Sequence, residues 1–307
     1  MRILLIGQGP FGAKVLEALL DRGENVVCVH APPDRPGGKN DPLKELALQR
    51  GLPLRQPSTY RDDEVFEDYL SFRPDLAVMA FVTAIIPPKF FDVPEHGAIC
   101  YHPSILPRHR GASAINWAII MGDTTTGLTV FRPDGGIDTG PILLQKTVPI
   151  GPDDTTGSLY FNHLFPMGVE AMVEVVEMIK AGTAEPVPQP EDGATYEPPC
   201  DDRVAGIDWS RSGTEIYNLV RGCDPQPGAY AFLNGEKLRF YGASFDPGPS
   251  SLPPGVMTGA DERGISLAVE GGFLTVGKIR PEKGGKIDAA DFAADRGLKS
   301  GTRFSKP

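Results

Sequence analysis

Cysteine is scarce in this chain: Cys28, Cys100, Cys200 and Cys223 are the only four among 307 residues, and they stand far apart. No CxxC pair occurs, which argues against a zinc knuckle or a thioredoxin-like redox motif. Cys28 and Cys100 lie in apolar runs and read as reduced and buried. No apolar run reaches the roughly 18 residues a bilayer-crossing helix needs. The apolar start, Met1 to Gly7, is too short for a secretory signal and has no small-residue cleavage site, so the expected location is cytoplasmic. A surplus of basic charge is also missing. The formal net charge is −10; most of the acidic excess falls in residues 1–200, and the remainder is close to neutral. Gripping a polyanion calls for a basic face, so a nucleic-acid partner is disfavoured. No metal-ligand spacing is present, and no metal is expected. Internal repeats are absent, and the oligomeric state leaves no mark on the sequence.

What is present supports a folded core. The apolar fraction is 40%, and the length suits one large domain or two ordinary ones. Over the first 150 residues, strand-like runs (2–6, 25–30, 76–81, 98–101, 127–131, 142–148) alternate with helix-like ones (11–22, 43–50, 62–72, 113–121). That alternation predicts an α/β fold with a mostly parallel sheet and helices on both faces. A long helix is predicted from the Asp153-Asp154-Thr155-Thr156 cap to about residue 181. Prolines 186, 188, 190, 198 and 199 then mark a surface linker. Beyond residue 207 come short strands, including a strand–Asn234-Gly235–strand hairpin signature, and a late helix over 289–296. These predict a small β-barrel of OB-like type. The expected division is a catalytic domain at 1–183, a linker at 184–206 and a barrel domain at 207–307.

Two segments carry chemistry. The first, Tyr101-His102-Pro103-Ser104-Ile105-Leu106-Pro107-Arg108-His109-Arg110-Gly111, puts a histidine just past a predicted strand. Ligands of such sheets sit beyond the carboxyl ends of the strands. The second, Gly135-Gly136-Ile137-Asp138-Thr139-Gly140, offers a carboxylate on a glycine-bracketed loop able to approach a ligand closely. A histidine and a carboxylate can manage protons at a carbonyl carbon. Taken singly, His102 also reads as a hydrogen-bonded strand-end residue and Asp138 as part of a turn. His30, His96, His109 and His163 lack comparable partners and read as structural, with His109 on a solvated or ligand-edge loop. A third segment, Gly7-Gln8-Gly9-Pro10-Phe11-Gly12, is a full GxGxxG between strand and helix, which opens an NAD-dependent oxidoreductase reading. The acidic residue expected at the end of the second strand is missing, since that strand runs into Val29-His30-Ala31-Pro32.

In order and spacing, these segments resemble the HPSxLPxxxG and DxGxDTG segments of formyltransferases that use 10-formyltetrahydrofolate. The family is that of methionyl-tRNA formyltransferase and its relatives. Gln8–Gly12, the block from His102 to Asp123, Gly136–Gly140, Gln189–Tyr196 and Val220–Gly222 all carry the likeness. Within the family the chain closely resembles the hydrolase module at the amino terminus of 10-formyltetrahydrofolate dehydrogenase. The resemblance implies a Rossmann-like formyltransferase domain followed by a small barrel. It also implies His102 and Asp138 as catalytic residues, and 10-formyltetrahydrofolate as formyl donor with tetrahydrofolate as product. For substrate and folate contacts it points to Ala84, Ile85 and Ile86, to Cys100, to Ser104, Ile105, Leu106 and Pro107, and to Gly136. Many family members place asparagine two residues before the histidine as an oxyanion donor; here Cys100 stands there, and a thiol is a weak donor.

The resulting expectation is an enzyme passing a formyl group to water or a small amine. Other acceptors in the same family are methionyl-tRNA and an amino sugar nucleotide. A non-catalytic folate-binding protein is the remaining alternative.

Overall fold

The computed structural model describes residues 1–306. Contacts group Met1–Gly111, Gly127–Val148 and Asn162–Tyr196 into one compact unit, and Ala112–Thr126, Pro149–Phe161 and Glu197–Pro307 into a second. The units are discontinuous in sequence, so stretches 112–126 and 149–161 group with the carboxyl-terminal residues and not with the first 183. Hydrogen bonds within the second unit explain this. Asn116 donates to the carbonyls of Gly222 (2.7 Å) and Gln226 (3.1 Å), and Arg221 donates to those of Gly151 (3.3 Å) and Asp154 (3.1 Å).

The first unit is built on a seven-stranded sheet. Strands β1 (Arg2–Gly7), β2 (Asn25–His30), β3 (Leu54–Arg55), β4 (Leu76–Ala80) and β5 (Ala98–His102) run parallel in the order β3-β2-β1-β4-β5. Strand Thr125–Phe131 then pairs antiparallel with β5, and Ile142–Pro149 follows it at the edge. Period-two alternation sends side chains to opposite faces. Ile3, Leu5, Val78, Ile99 and Tyr101 join one core with helices Gly9–Asp21 and Phe165–Ala181. Leu4, Ile6, Met79 and Ala98 join another with Tyr69, Phe90 and Phe91. The Rossmann-like, mostly parallel sheet covered on both faces is therefore as expected from the apolar periodicity.

The predicted single helix to residue 181 is interrupted. Thr155 and Ser158 form a capping box over Thr156–Leu159, a π-turn spans Tyr160–Leu164, and Phe165–Ala181 follows. Pro166 has no N–H to continue the ladder, and the wider turn sits just ahead of it.

The second unit is an antiparallel sheet in the order Ala229–Leu233, Glu236–Pro247, Gly272–Pro281, Gly264–Val269, Met257–Asp261. Asn234 (φ 51°) and Gly235 (φ 84°) make the expected two-residue hairpin turn. The tail closes the sheet. Ser305 and Phe232 exchange backbone hydrogen bonds at 2.8 and 2.9 Å, while Thr302 accepts from Met257 and Phe304 donates to Gly255, both at 2.8 Å. The two edge strands are thus bridged through residues 302–305, which makes the sheet a barrel.

One buried group couples folding to pH. His30 is 1% exposed, neither ring nitrogen has a hydrogen-bond partner, and the ring packs on Tyr60 and Tyr69. Burial pushes its pKa down to about 4. The folded state therefore holds His30 neutral where the unfolded chain protonates it. The stabilisation from neutral burial is complete above the unfolded value of 6.5 and is lost as pH falls toward 4. At pH 4.5 the loss is expected to reach about 2–3 kcal/mol. Denaturant midpoints at pH 7 and 4.5 check this: the acid-induced drop should be smaller in His30→Phe than in the parent. Equal drops in both proteins would rule the explanation out.

Candidate active site

The site is assembled on a short run of backbone. β5 ends at His102, which is 6% exposed and on the same sheet face as Cys100 by alternation. His102 Nε2 lies 2.7 Å from the carbonyl oxygen of His109. A carbonyl only accepts, so Nε2 carries the hydrogen and Nδ1 is the nitrogen left for proton exchange. Nδ1 lies 3.5 Å from Asp138 Oδ2. The same Oδ2 accepts from the backbone N–H of Gly111 at 2.8 Å. Residues 109–111 therefore hold both halves of the pair, the histidine from one end and the carboxylate from the other.

The loop from His102 to His109 is fixed from below. The hydroxyl of Thr129 donates to the Ser104 carbonyl (2.7 Å) and accepts from Leu106 N–H (3.1 Å). Gln145 donates to the Leu106 carbonyl (2.8 Å), and Ser104 Oγ donates to the Arg108 carbonyl (2.7 Å). Ser104 and Leu106 are consequently buried at 0% and 2% exposure, whereas Ile105 and Pro107 are half-buried. His109 is 2% exposed, which removes the solvated half of the expectation of a solvated or ligand-edge loop: its N–H donates to Thr195 Oγ1 at 2.8 Å and its carbonyl faces His102.

The carboxylate loop is equally determined. Arg132 N–H donates to the Pro141 carbonyl (2.9 Å) and closes it. Asp134 Oδ1 accepts from Gly136 N–H (2.9 Å) and Thr139 Oγ1 (2.6 Å). Asp138 sits at φ 55°, a left-handed conformation that aspartate tolerates better than most residues. Gly136 lies at the exposed tip, beside Ile137 at 54% exposure. Beyond the end of β4, adjacent to β5, Phe81 (47%) and Ile85 (78%) are also exposed, with Ala84 exposed and Ile86 half-buried. Cys100 is half-buried; burial pushes its thiol up, and the Asp138 carboxylate adds to the shift. The group stays a thiol at neutral pH.

The glycine turn is occupied by the chain itself. Asp41 accepts from Gly9 N–H with both carboxylate oxygens, at 3.0 and 2.8 Å, and from Leu43 N–H at 2.9 Å. A pyrophosphate there would meet a carboxylate, against the dinucleotide reading. Gly7 is needed for packing, because a Cβ would lie 2.4 Å from the Ala80 carbonyl oxygen. Among the described residues, no group of three or more His, Cys, Asp or Glu is arranged to hold a metal, and no helix is long and apolar enough to cross a membrane.

Sequence reasoning missed Thr129, Gln145, the Gly111 N–H and Gln189. Each acts through side-chain contacts 16 to 79 residues away or through backbone groups, which no local pattern reveals.

Comparison with known proteins gives consistent results. Residues 1–176 match the family described as formyl transferase, and residues 201–297 match formyl transferase, C-terminal domain. The mitochondrial 10-formyltetrahydrofolate dehydrogenase of Homo sapiens is 43% identical over 95% of this chain, which spans 33% of that protein's length. The methionyl-tRNA formyltransferase of Trichlorobacter lovleyi is 37% identical over 98% of this chain and 96% of its own. Among solved structures, HypX from Aquifex aeolicus in complex with tetrahydrofolic acid shares the fold with a TM-score of 0.69 at 20% identity, over 96% of this chain and 47% of that one.

Proposed function

This chain belongs to the formyl transferase family, and from that premise we propose that it moves the formyl group of 10-formyltetrahydrofolate to water or a small amine and releases tetrahydrofolate. The observation that carries the reading is the pairing of His102 Nδ1 with Asp138 Oδ2, at 3.5 Å, past the carboxyl end of a parallel strand. In this reading Nδ1 takes the proton of the attacking water or amine and returns it to the departing nitrogen. Asp138 supports the positive charge that the ring then carries, while the His109 carbonyl keeps Nε2 protonated and the ring fixed.

The residues present fit the folate. Phe81, Ile85 and Ile137 present exposed apolar surface on the loops beyond β4 and around Asp138, suited to a flat pterin. We assign Ala84–Ile86 and the Gly136–Asp138 loop to that role. Ile105 and Pro107 are the accessible members of the loop after His102, and Ser104 and Leu106 support them from beneath. When bound, the folate supplies an activated formyl group on nitrogen; the bond to that nitrogen breaks and a bond to the acceptor forms.

Cys100 favours water or a small acceptor. A protonated thiol beside the pair is a poor oxyanion donor, and one missing donor costs about 2.7–4 kcal/mol in comparable sites. Slow transfer is better matched to water, which is present at high concentration. A second reading, methionyl-tRNA as acceptor, is favoured by the end-to-end likeness to the T. lovleyi enzyme. The test is incubation with 10-formyltetrahydrofolate alone, with small amines, and with charged initiator tRNA, following formate and N-formyl products. Formate or a formylated small amine supports the first reading. Formyl-methionyl-tRNA forming faster than either moves the assignment to the second. No folate turnover with any acceptor rejects both.

A further inference from the structure

The segment that sequence reading assigns to a linker reaches into the site. Gln189 lies between Pro188 and Pro190, where both neighbours restrict the backbone. Its carboxamide is fully used. Nε2 donates to the carbonyls of Asp138 (2.8 Å) and Gly140 (2.7 Å), and Oε1 accepts from Arg110 Nε (3.2 Å) and Nη2 (2.9 Å). Reversing the amide would set its NH2 against a guanidinium and its oxygen against two carbonyls, so the orientation is unambiguous. The backbone beside it is anchored too: Val187 and Ile142 exchange hydrogen bonds at 2.7 and 2.8 Å.

These bonds close a ring around Asp138. Its carboxylate is tied to Gly111 N–H, and its main chain is tied through Gln189 to the side chain of Arg110, one residue earlier. Arg110 is 8% exposed, and its own N–H is bonded to the Thr195 carbonyl at 3.0 Å. A carbonyl held at both Asp138 and Gly140 leaves the loop little freedom to carry Oδ2 away from His102.

We propose that Gln189 is a positioning residue that holds the Asp138 loop against residues 109–111 and so sets the distance between His102 and Asp138; this rests on the reading of that pair given above. Gln189 does not touch the reacting atoms. Its contribution is geometric, and a displacement of about 1 Å at such a pair can cost about 100-fold in rate.

Gln189→Glu tests this with little change of volume. It keeps an acceptor for Arg110 and replaces the one nitrogen that donates to both carbonyls with an oxygen facing them. Gln189→Met removes the hydrogen bonds without adding charge and guards against a folding failure in the first variant. Both are expected to lower kcat for folate turnover by about 10–100-fold, with KM for 10-formyltetrahydrofolate changed less than about 3-fold. Thermal midpoints are expected to fall by about a few degrees, with both variants folded at the assay temperature. Adding Gln189→Glu to Asp138→Asn should cost nothing beyond Asp138→Asn alone, since the two act through one group. Full kcat in both Gln189 variants, with Asp138→Asn impaired, overturns the inference and leaves the site reading intact. A raised KM at unchanged kcat also overturns it, because Gln189 is then a ligand contact. Unimpaired turnover in Asp138→Asn is a separate result that removes the reading on which the inference rests.

Discussion

Replacing His102 with alanine is expected to slow release of the formyl group by about 10²–10⁴-fold, the range that a positioned general acid–base group supplies. The ring is nearly buried, its Nε2 is held by the His109 carbonyl, and its Nδ1, the nitrogen left for proton exchange, lies 3.5 Å from Asp138 Oδ2. No other histidine is placed to substitute. His109 lies close in sequence and meets His102 through its carbonyl oxygen. Folding should survive. The loop after His102 is held independently by Thr129 and Gln145, and the lost contacts amount to one hydrogen bond and a modest cavity, about 1–3 kcal/mol. Single-turnover formate release together with a denaturation midpoint separates the two effects. A variant that folds normally and turns over at the parent rate would falsify the role assigned to His102.

The sheet was legible because its signal is local. Ile3, Leu5, Val78 and Ile99 lie in short apolar runs, separated by helix-like segments, as buried parallel strands require, and the Asn234-Gly235 turn is a common hairpin signal. His102 and Asp138 stood out for a different reason: His102 heads a segment that Pro103 and Pro107 stiffen, and Asp138 sits on a loop that flanking glycines leave free to turn tightly. The parts that were not legible act at a distance. Gln189 opens a segment that carries the family likeness, but nothing in that segment gives it a role until the fold brings it to Asp138, 51 residues earlier. The same holds for Asp41, which caps the glycine turn from 32 residues away. The GxGxxG motif reads identically whether a ligand phosphate or a side-chain carboxylate receives its N–H groups, so only coordinates decide. Grouping of 112–126 with the second unit was hidden because it depends on Asn116 meeting carbonyls more than 100 residues later.

A substitution that adds one methyl group to the carboxylate loop is expected to be almost as damaging as losing the histidine. Gly140 needs its missing side chain for space. A Cβ there would stand 1.8 Å from the Arg132 carbonyl oxygen, 2.9 Å from its carbon and 3.3 Å from Asp134 N. All three are backbone atoms, so no side chain can swing aside. The loop ends must part, which strains the Arg132–Pro141 hydrogen bond and shifts the Gly140 carbonyl that Gln189 holds. Asp138 is two residues away and moves with it. Gly140→Ala should therefore lower turnover by about 100-fold or more and cost about 2–4 kcal/mol of stability. Gly135, in the same loop, provides the control: a Cβ there meets nothing within 4 Å, so Gly135→Ala should change neither quantity measurably. Turnover and denaturation midpoints of the two variants, measured side by side, decide the matter. If they are indistinguishable, the close approach at Gly140 does not govern where Asp138 sits, and the geometric account of the pair loses its main support.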